Sequence, residues 1–294
     1  IKSKTLKDYR LNKAKLLLQP LPFSITIAIS GMAIFHTNGI LYRLPESEQL
    51  LVKSALEAKD DWNYPEPNME IEGLEIRFIK GSSVKNILVM GASHIEQLYP
   101  YVESLKSKYN VYFLTQSGCF VTPSMKNPKW ECGDLQNYGK LLDKIKFEKV
   151  LTSFYNFNSY LSTAIAEREN EKIIRVEEYD NFLYTLKSHI SKVFIITGEP
   201  KGKEFDPISA IRYKLPDYIS EAEARLNYTE HEAALMKLKN IDGIEIIDPI
   251  KHLCENKLCK TRDNEHGFYY RDYNHMRPWY SIQANAYLSS IFLR

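Results

Sequence analysis

Gly91-Ala92-Ser93-His94 follows a short apolar run, Asn86–Met90, and opens a stretch with helical spacing. A serine at a strand-to-helix turn presents its hydroxyl at the edge of a sheet, where it can attack a carbonyl. The position alone says little, because serine is also a common helix N-cap. Far along the chain, Tyr269-Tyr270-Arg271-Asp272-Tyr273-Asn274-His275-Met276 precedes the last helical stretch. Asp272 and His275 are three residues apart, so on a turn the carboxylate can orient its neighbour's imidazole. That imidazole can then take the proton of Ser93 as a general base. An Asp in a turn and a solvent-facing His are each commonplace. Placed at the two ends of one α/β domain, they point to Ser93, Asp272 and His275 as a nucleophile, its orienting acid and its base.

Other residues invite chemistry less specifically. The four cysteines form two local pairs, Cys119/Cys132 and Cys254/Cys259, each closing a short loop. An oxidising compartment would make these two disulfides. Zinc is the rival, since Cys254, Cys259, His266 and His275 lie within reach in sequence; their spacing matches no tight ligand pattern, and no metal is expected. Cys119 is a possible thiol nucleophile, but it has no evident base, and pairing with Cys132 would make it inert. His94, at the start of the helical stretch, is expected to cap or to contact substrate. Tyr155, Tyr160, Trp130 and Trp279 fall in loops, where aromatic faces suit sugar stacking, although core packing explains most Tyr and Trp.

These residues need a scaffold, and the hydrophobic pattern supplies one. Apolar, β-branched runs at Asn86–Met90, Val111–Leu114, Val150–Phe154, Val193–Thr197 and Ile244–Ile247 predict strands. Helical spacing recurs between them at about 94–107, 134–145, 176–191 and 219–239, and again at about 280–293. Alternation of this kind predicts a parallel sheet covered on both faces. The fold class expected is α/β, a flavodoxin-like three-layer α/β/α sandwich with about five parallel strands. Its ligands would bind at the carboxyl ends of the strands, so chemistry is expected in the residues after each apolar run.

The N-terminal part differs in character. Lys2, Lys4, Lys7, Arg10, Lys13 and Lys15 face a single acid, Asp8, and no initiator Met is present, which suggests a piece of a longer protein. Leu21 to Leu41 carries no Asp, Glu, Lys or Arg and is long enough to span a bilayer, although its Ser, Thr, His and Asn residues also fit a buried helix. If it spans, the basic run lies in the cytoplasm and the rest outside. Three parts follow: 1–41, a basic stub and candidate last transmembrane helix; 42–68, a connector with a helix starting at Pro45; and 69–294, the α/β domain. Across the whole chain 26% of residues are charged, and the net charge of +2 gives no pull toward nucleic acid.

The chain resembles the SGNH domain fused to membrane acyltransferases of the acyltransferase-three family. ILVMGASH looks like that family's nucleophile turn and FYYRDYNHM like its Asp-x-x-His turn. HLCENKLC and the Cys119–Cys132 pair look like its paired cysteines, and TNGILYRLPES like the exit from its last membrane helix. One departure is plain: Ala92 stands where the usual motif has Asp. The resemblance implies an SGNH hydrolase fold, and disulfides Cys119–Cys132 and Cys254–Cys259. It further implies oxyanion donors at Gly118 and at Asn156, with Asn158 as the alternative; either Asn could equally be a turn residue.

The implied activity is O-acetylation of a bacterial envelope polysaccharide, such as lipopolysaccharide O-antigen, through a Ser93 acyl-enzyme. No cofactor is expected in this domain. Acetyl-CoA would be the ultimate donor, through a membrane acyltransferase domain in the same full-length chain. The implied partners are that domain, the glycan acceptor and the inner membrane, with the SGNH domain in the periplasm. Two rivals share the sequence: an acetylesterase using the same three residues, and a catalytically silent glycan-binding module.

Overall fold

The computed structural model describes residues 21–37, 39, 41–61, 64–122, 132–153, 169–228 and 238–294, without the side chains of residues 169–176. The chain separates into two compact units, Ile1–Val52 and Lys53–Arg294.

In the first unit, α1 (Leu21–His36) is a helix of 16 residues with no buried side chain. At about 1.5 Å per residue the described part rises roughly 24 Å. No helix among the described residues is long and apolar enough to cross a membrane. Within Leu21–Leu41, where a single span was expected, the described helix ends at His36 and Leu41–Arg43 forms a separate 3₁₀ turn. The Thr37 hydroxyl donates back to the Ala33 carbonyl at 2.7 Å, a local bond that helps close the helix. α2 (Glu46–Ala58) begins after Pro45, as expected, with Glu46 and Glu48 in its first turn.

The second unit is built on a sheet. Its strands are β1 (Met69–Ile71), β2 (Leu74–Ile79), β3 (Asn86–Gly91), β4 (Asn110–Thr115), β5 (Lys149–Ser153) and β6 (Lys192–Ile196). A short strand outside it, β7 (Tyr218–Ser220), precedes the last member, β8 (Ile244–Ile247). The order is β1-β2-β4-β3-β5-β6-β8. The five strands from β4 to β8 in that order run parallel. Renumbered among themselves they follow 2-1-3-4-5, the flavodoxin-like order, with its switch point between β3 and β5.

β1 and β2 were not among the expected strands. They form a hairpin through Glu72-Gly73, both at positive φ (52° and 79°), and extend the sheet antiparallel. Two consecutive positive-φ residues suit the tight turn that a twisted hairpin needs.

Alternating side chains divide the core. Leu88 and Met90 pack on one face with Leu141, Phe182 and Leu186; Ile87 and Val89 pack on the other with Leu98, Val102 and Phe292. The helices covering the first face are a broken set: Gly133–Gln136, Gly139–Lys144 and Glu169–His189 are separate helices where two were expected. On the other face, Ser93–Glu96 and Tyr99–Ser104 divide the stretch expected as one helix. The C-terminal stretch likewise breaks into Pro278–Ala284, a 3₁₀ turn at Asn285–Leu288, and Ser289–Leu293.

A small antiparallel sheet, β7 with β10 (Leu258–Lys260) and β9 (Cys254–Glu255), stands apart from the main one. Cys254 and Cys259 face each other across β9–β10 and are joined by a disulfide; Cys119 is joined to Cys132.

Candidate active site

Ser93 owes its place to the end of β3. Gly91 has φ +152°, and a Cβ there would stand 2.8 Å from the Ile95 side chain, so the chain can turn this tightly only with glycine. Ala92, not Ser93, is the N-cap of the following short helix, and no side chain caps it. The Ser93 hydroxyl is thereby left for a tertiary contact. It lies 2.8 Å from Nε2 of His275.

His275 comes from a hairpin-like loop closed by Arg271 N–H donating to the His275 carbonyl at 2.9 Å and by the Tyr270–Met276 bridge. Inside this loop Asp272 Oδ1 accepts the backbone N–H groups of Asn274 (3.0 Å) and His275 (2.9 Å). Both Asp272 oxygens also face His275 Nδ1, at 3.0 and 2.9 Å. Burial works to raise the Asp272 pKa, but the hydrogen bond and charge of His275, with the two N–H donors, outweigh it and hold the carboxyl below its ordinary value. The three groups thus form one continuous chain, carboxylate–imidazole–hydroxyl. Such a chain can pass the hydroxyl proton to Nε2 while the carboxylate steadies Nδ1–H.

Gly118 lies in the turn after β4, the strand beside β3, at φ +70°. That turn is tied to the serine turn by Gln116 N–H donating to the Gly91 carbonyl (3.2 Å) and Ser117 Oγ donating to Glu96 Oε2 (3.1 Å). Asn156 and Asn158, with Tyr155, Tyr160 and Trp130, lie outside the described residues. Trp279 stacks on His266, with ring centroids 4.8 Å apart. No cluster that could hold a metal occurs among the described residues, and Cys254 and Cys259 are bonded to each other rather than offered as thiolate ligands.

Behind His275 lies a group of residues that the sequence did not announce. His94 was expected to cap the helix or contact substrate; it is buried and stacks on the His275 ring at 4.6 Å and 21°. Its Nδ1 faces Glu199 Oε2 at 3.3 Å. Burial drives the His94 pKa well down and raises that of Glu199 from the ordinary 4.5 to about 7. Glu199 Oε1 accepts from Gln97 Nε2 (3.1 Å), and Gln97 Oε1 accepts the backbone N–H of Met276 (2.9 Å), the residue after His275. Gln97, four residues beyond Ser93, therefore ties the histidine loop to the serine turn. Glu199 lies three residues past the end of β6, at the carboxyl end of the sheet where such folds bind ligands; nothing local marks Gln97.

The connector reaches the same loop. Buried Arg277 pairs with Asp61 and with Glu57 (3.5 Å), and donates to the Ser54 hydroxyl at 2.8 Å. Ser54 in turn accepts the Phe268 N–H at 2.8 Å.

A doubly wound α/β sandwich with a Ser–His–Asp chain at the carboxyl end of its first parallel strand defines a class of proteins, and comparison narrows it. Residues 62–289 match the family described as SGNH domain (fused to AT3 domains), and the chain belongs to that family. Among solved structures it is similar to the periplasmic domain of the lipopolysaccharide acetyltransferase of Salmonella ser. Paratyphi A. That match has a TM-score of 0.51 and 16% identity over 71% of this chain and 84% of the other. At that identity the likeness is one of fold. No curated protein sequence matches.

Proposed function

We propose that this chain carries the acyl-transferring site of an envelope O-acetyltransferase. Ser93 accepts an acetyl group as an ester; His275 first removes the serine proton and then returns one to the leaving group; Asp272 orients His275. The Ser93 and Gly118 N–H groups, with Asn156 or Asn158, would receive the oxyanion. The acceptor is a hydroxyl of a bacterial envelope polysaccharide such as lipopolysaccharide O-antigen. The donor is acetyl-CoA, reached through the AT3-type membrane domain for which the family is named, with this domain on the periplasmic side of the inner membrane.

The observation that carries the reading is the unbroken chain from Ser93 Oγ through His275 to Asp272, at 2.8 and 2.9 Å. Cells carrying Ser93→Ala in the full-length protein should lose acetyl groups from their surface glycan. Intact acetylation in that variant would sink the proposal.

One observation favours a second reading, hydrolysis. The side chains of His275 and Asp272 keep 21% and 35% exposure, so water can reach the site. Comparing acetyl release to water with acetyl transfer to added glycan separates an esterase from a transferase, because exclusion of water decides between them.

A further inference from the structure

We propose that the groove between the Cys254–Cys259 hairpin and the C-terminal helical segment is a carbohydrate subsite, separate from Ser93, that takes an uncharged sugar unit. Its role in holding the acceptor rests on the glycan reading above; its ability to bind sugar does not.

The groove encloses about 450 Å³, within the range of small-molecule clefts, and opens to solvent. Its aromatic wall is prearranged. Tyr269 and Tyr280 stack at 4.2 Å and 8°, and His252 and Tyr287 at 4.5 Å and 3°. The three tyrosine rings are half-buried, and Leu258 extends the apolar surface at the hairpin turn. Flat, rigid rings of this kind offer contact area at little entropic cost, and suit the C–H faces of a pyranose.

The rim supplies the polar half. Glu255, Lys260 and Gln283 line the groove, are exposed, and have no side-chain hydrogen bond or ion pair among the described residues. One acid, one base and one amide give donors and acceptors in balance and no net charge. That mixture matches hydroxyls, each both donor and acceptor, better than it matches a phosphate or a carboxylate.

Both walls are fixed. The hairpin is closed by the Cys254–Cys259 disulfide. Opposite, Ser281 donates to the Gln97 carbonyl at 2.6 Å and Asn285 donates to the Ser281 carbonyl at 2.9 Å. A rigid site loses little on binding. The groove also adjoins the loop of His275: Arg277 N–H donates to the Tyr269 carbonyl at 2.9 Å, two residues along that ladder, or about 7 Å of strand. Tyr269, on the groove's wall, thus belongs to the same loop that carries His275.

Saturation-transfer NMR of the whole chain with a panel of methyl glycosides, including N-acetylglucosamine, tests this. Wild type should transfer saturation to ring C–H protons of at least one glycoside. Glu255→Ala and Gln283→Ala, both surface changes, should each weaken its titrated binding by about tenfold, the scale of a lost hydrogen bond to a charged or amide group. Ser93→Ala should leave binding unchanged. Absence of transfer from every glycoside, or binding indifferent to both rim variants, would overturn the subsite. Hydrolysis of a small chromogenic acetyl ester is measured beside it. Sugar binding without ester turnover leaves the groove standing and counts against the acyl-transfer reading; turnover without sugar binding does the reverse.

Discussion

The two turns that meet at Ser93 and His275 are held by opposite means. The serine turn ends a strand buried on both faces: Ile87, Leu88, Val89 and Met90 are wholly inaccessible, flanked by β4 and β5. Its position follows from hydrophobic packing and from one glycine. The histidine loop lies off the sheet and is placed by polar contacts: Asp272 to its own backbone, Gln97 to Met276, and Arg277 to Ser54, Glu57 and Asp61. Packing tolerates conservative exchange, whereas a polar clamp fails when one partner goes and leaves the other desolvated. Sensitivity to substitution should therefore be concentrated on the histidine side, and part of it in the connector rather than in the sheet.

Removing the groups proposed to react should have the largest effect. Ser93→Ala and His275→Ala should each reduce turnover of a chromogenic acetyl ester by at least roughly 10³-fold with thermal stability retained. Arg277→Ala comes next. Breaking a buried ion pair costs about 3–5 kcal/mol, and here about 2–3 because Asp61 and Glu57 keep access to water. Urea unfolding should show this loss, while Ile87→Val on the serine side should cost about 0.5–1.5 kcal/mol. Equal losses at the two positions would erase the contrast. Gln97→Leu should cost about 1–3 kcal/mol through the N–H and carboxyl it leaves unpaired, and should lower turnover further than that loss of folded protein explains.

The smallest effect concerns Glu199. Its folded pKa of about 7 lies above the ordinary 4.5, so the folded state holds its proton longer than the unfolded one. The associated stability is full below about pH 4.5 and is lost as pH rises through 7. Glu199→Gln, which cannot ionise, should gain in melting temperature relative to wild type between pH 5 and 8; a gap independent of pH would show that the carboxyl is not held neutral.

The same division explains what the sequence disclosed. The inner parallel strands, β3 and β5 above all, are apolar runs buried along most of their length, and β8 at the edge is a shorter one interrupted by the exposed Glu245. The β1–β2 hairpin was passed over because Glu70, Glu75 and Arg77 break it into an alternating pattern, the signature of a half-buried edge hairpin and not of the continuous runs that marked the parallel strands. Helix lengths were overestimated where a local bond ends a turn: Asn285, for example, donates to Ser281 in the middle of the stretch expected as one helix. Ser93, Asp272 and His275 were singled out because such residues leave a local signature, and the structure brings their side chains within hydrogen-bonding distance. His94 was misplaced, and Glu199 and Gln97 passed over, because their roles depend on which distant segments pack together. The connector's contribution through Ser54, Glu57 and Asp61 is of the same kind.

The central claim is that Ser93 carries the acyl group, and intact-protein and peptide mass spectrometry after brief exposure to an activated acetyl ester tests it most directly. The account predicts a single acetyl group on the peptide containing Ser93, absent in Ser93→Ala and strongly reduced in His275→Ala. Acetylation elsewhere, or labelling of Ser93 that persists undiminished without His275, would contradict it.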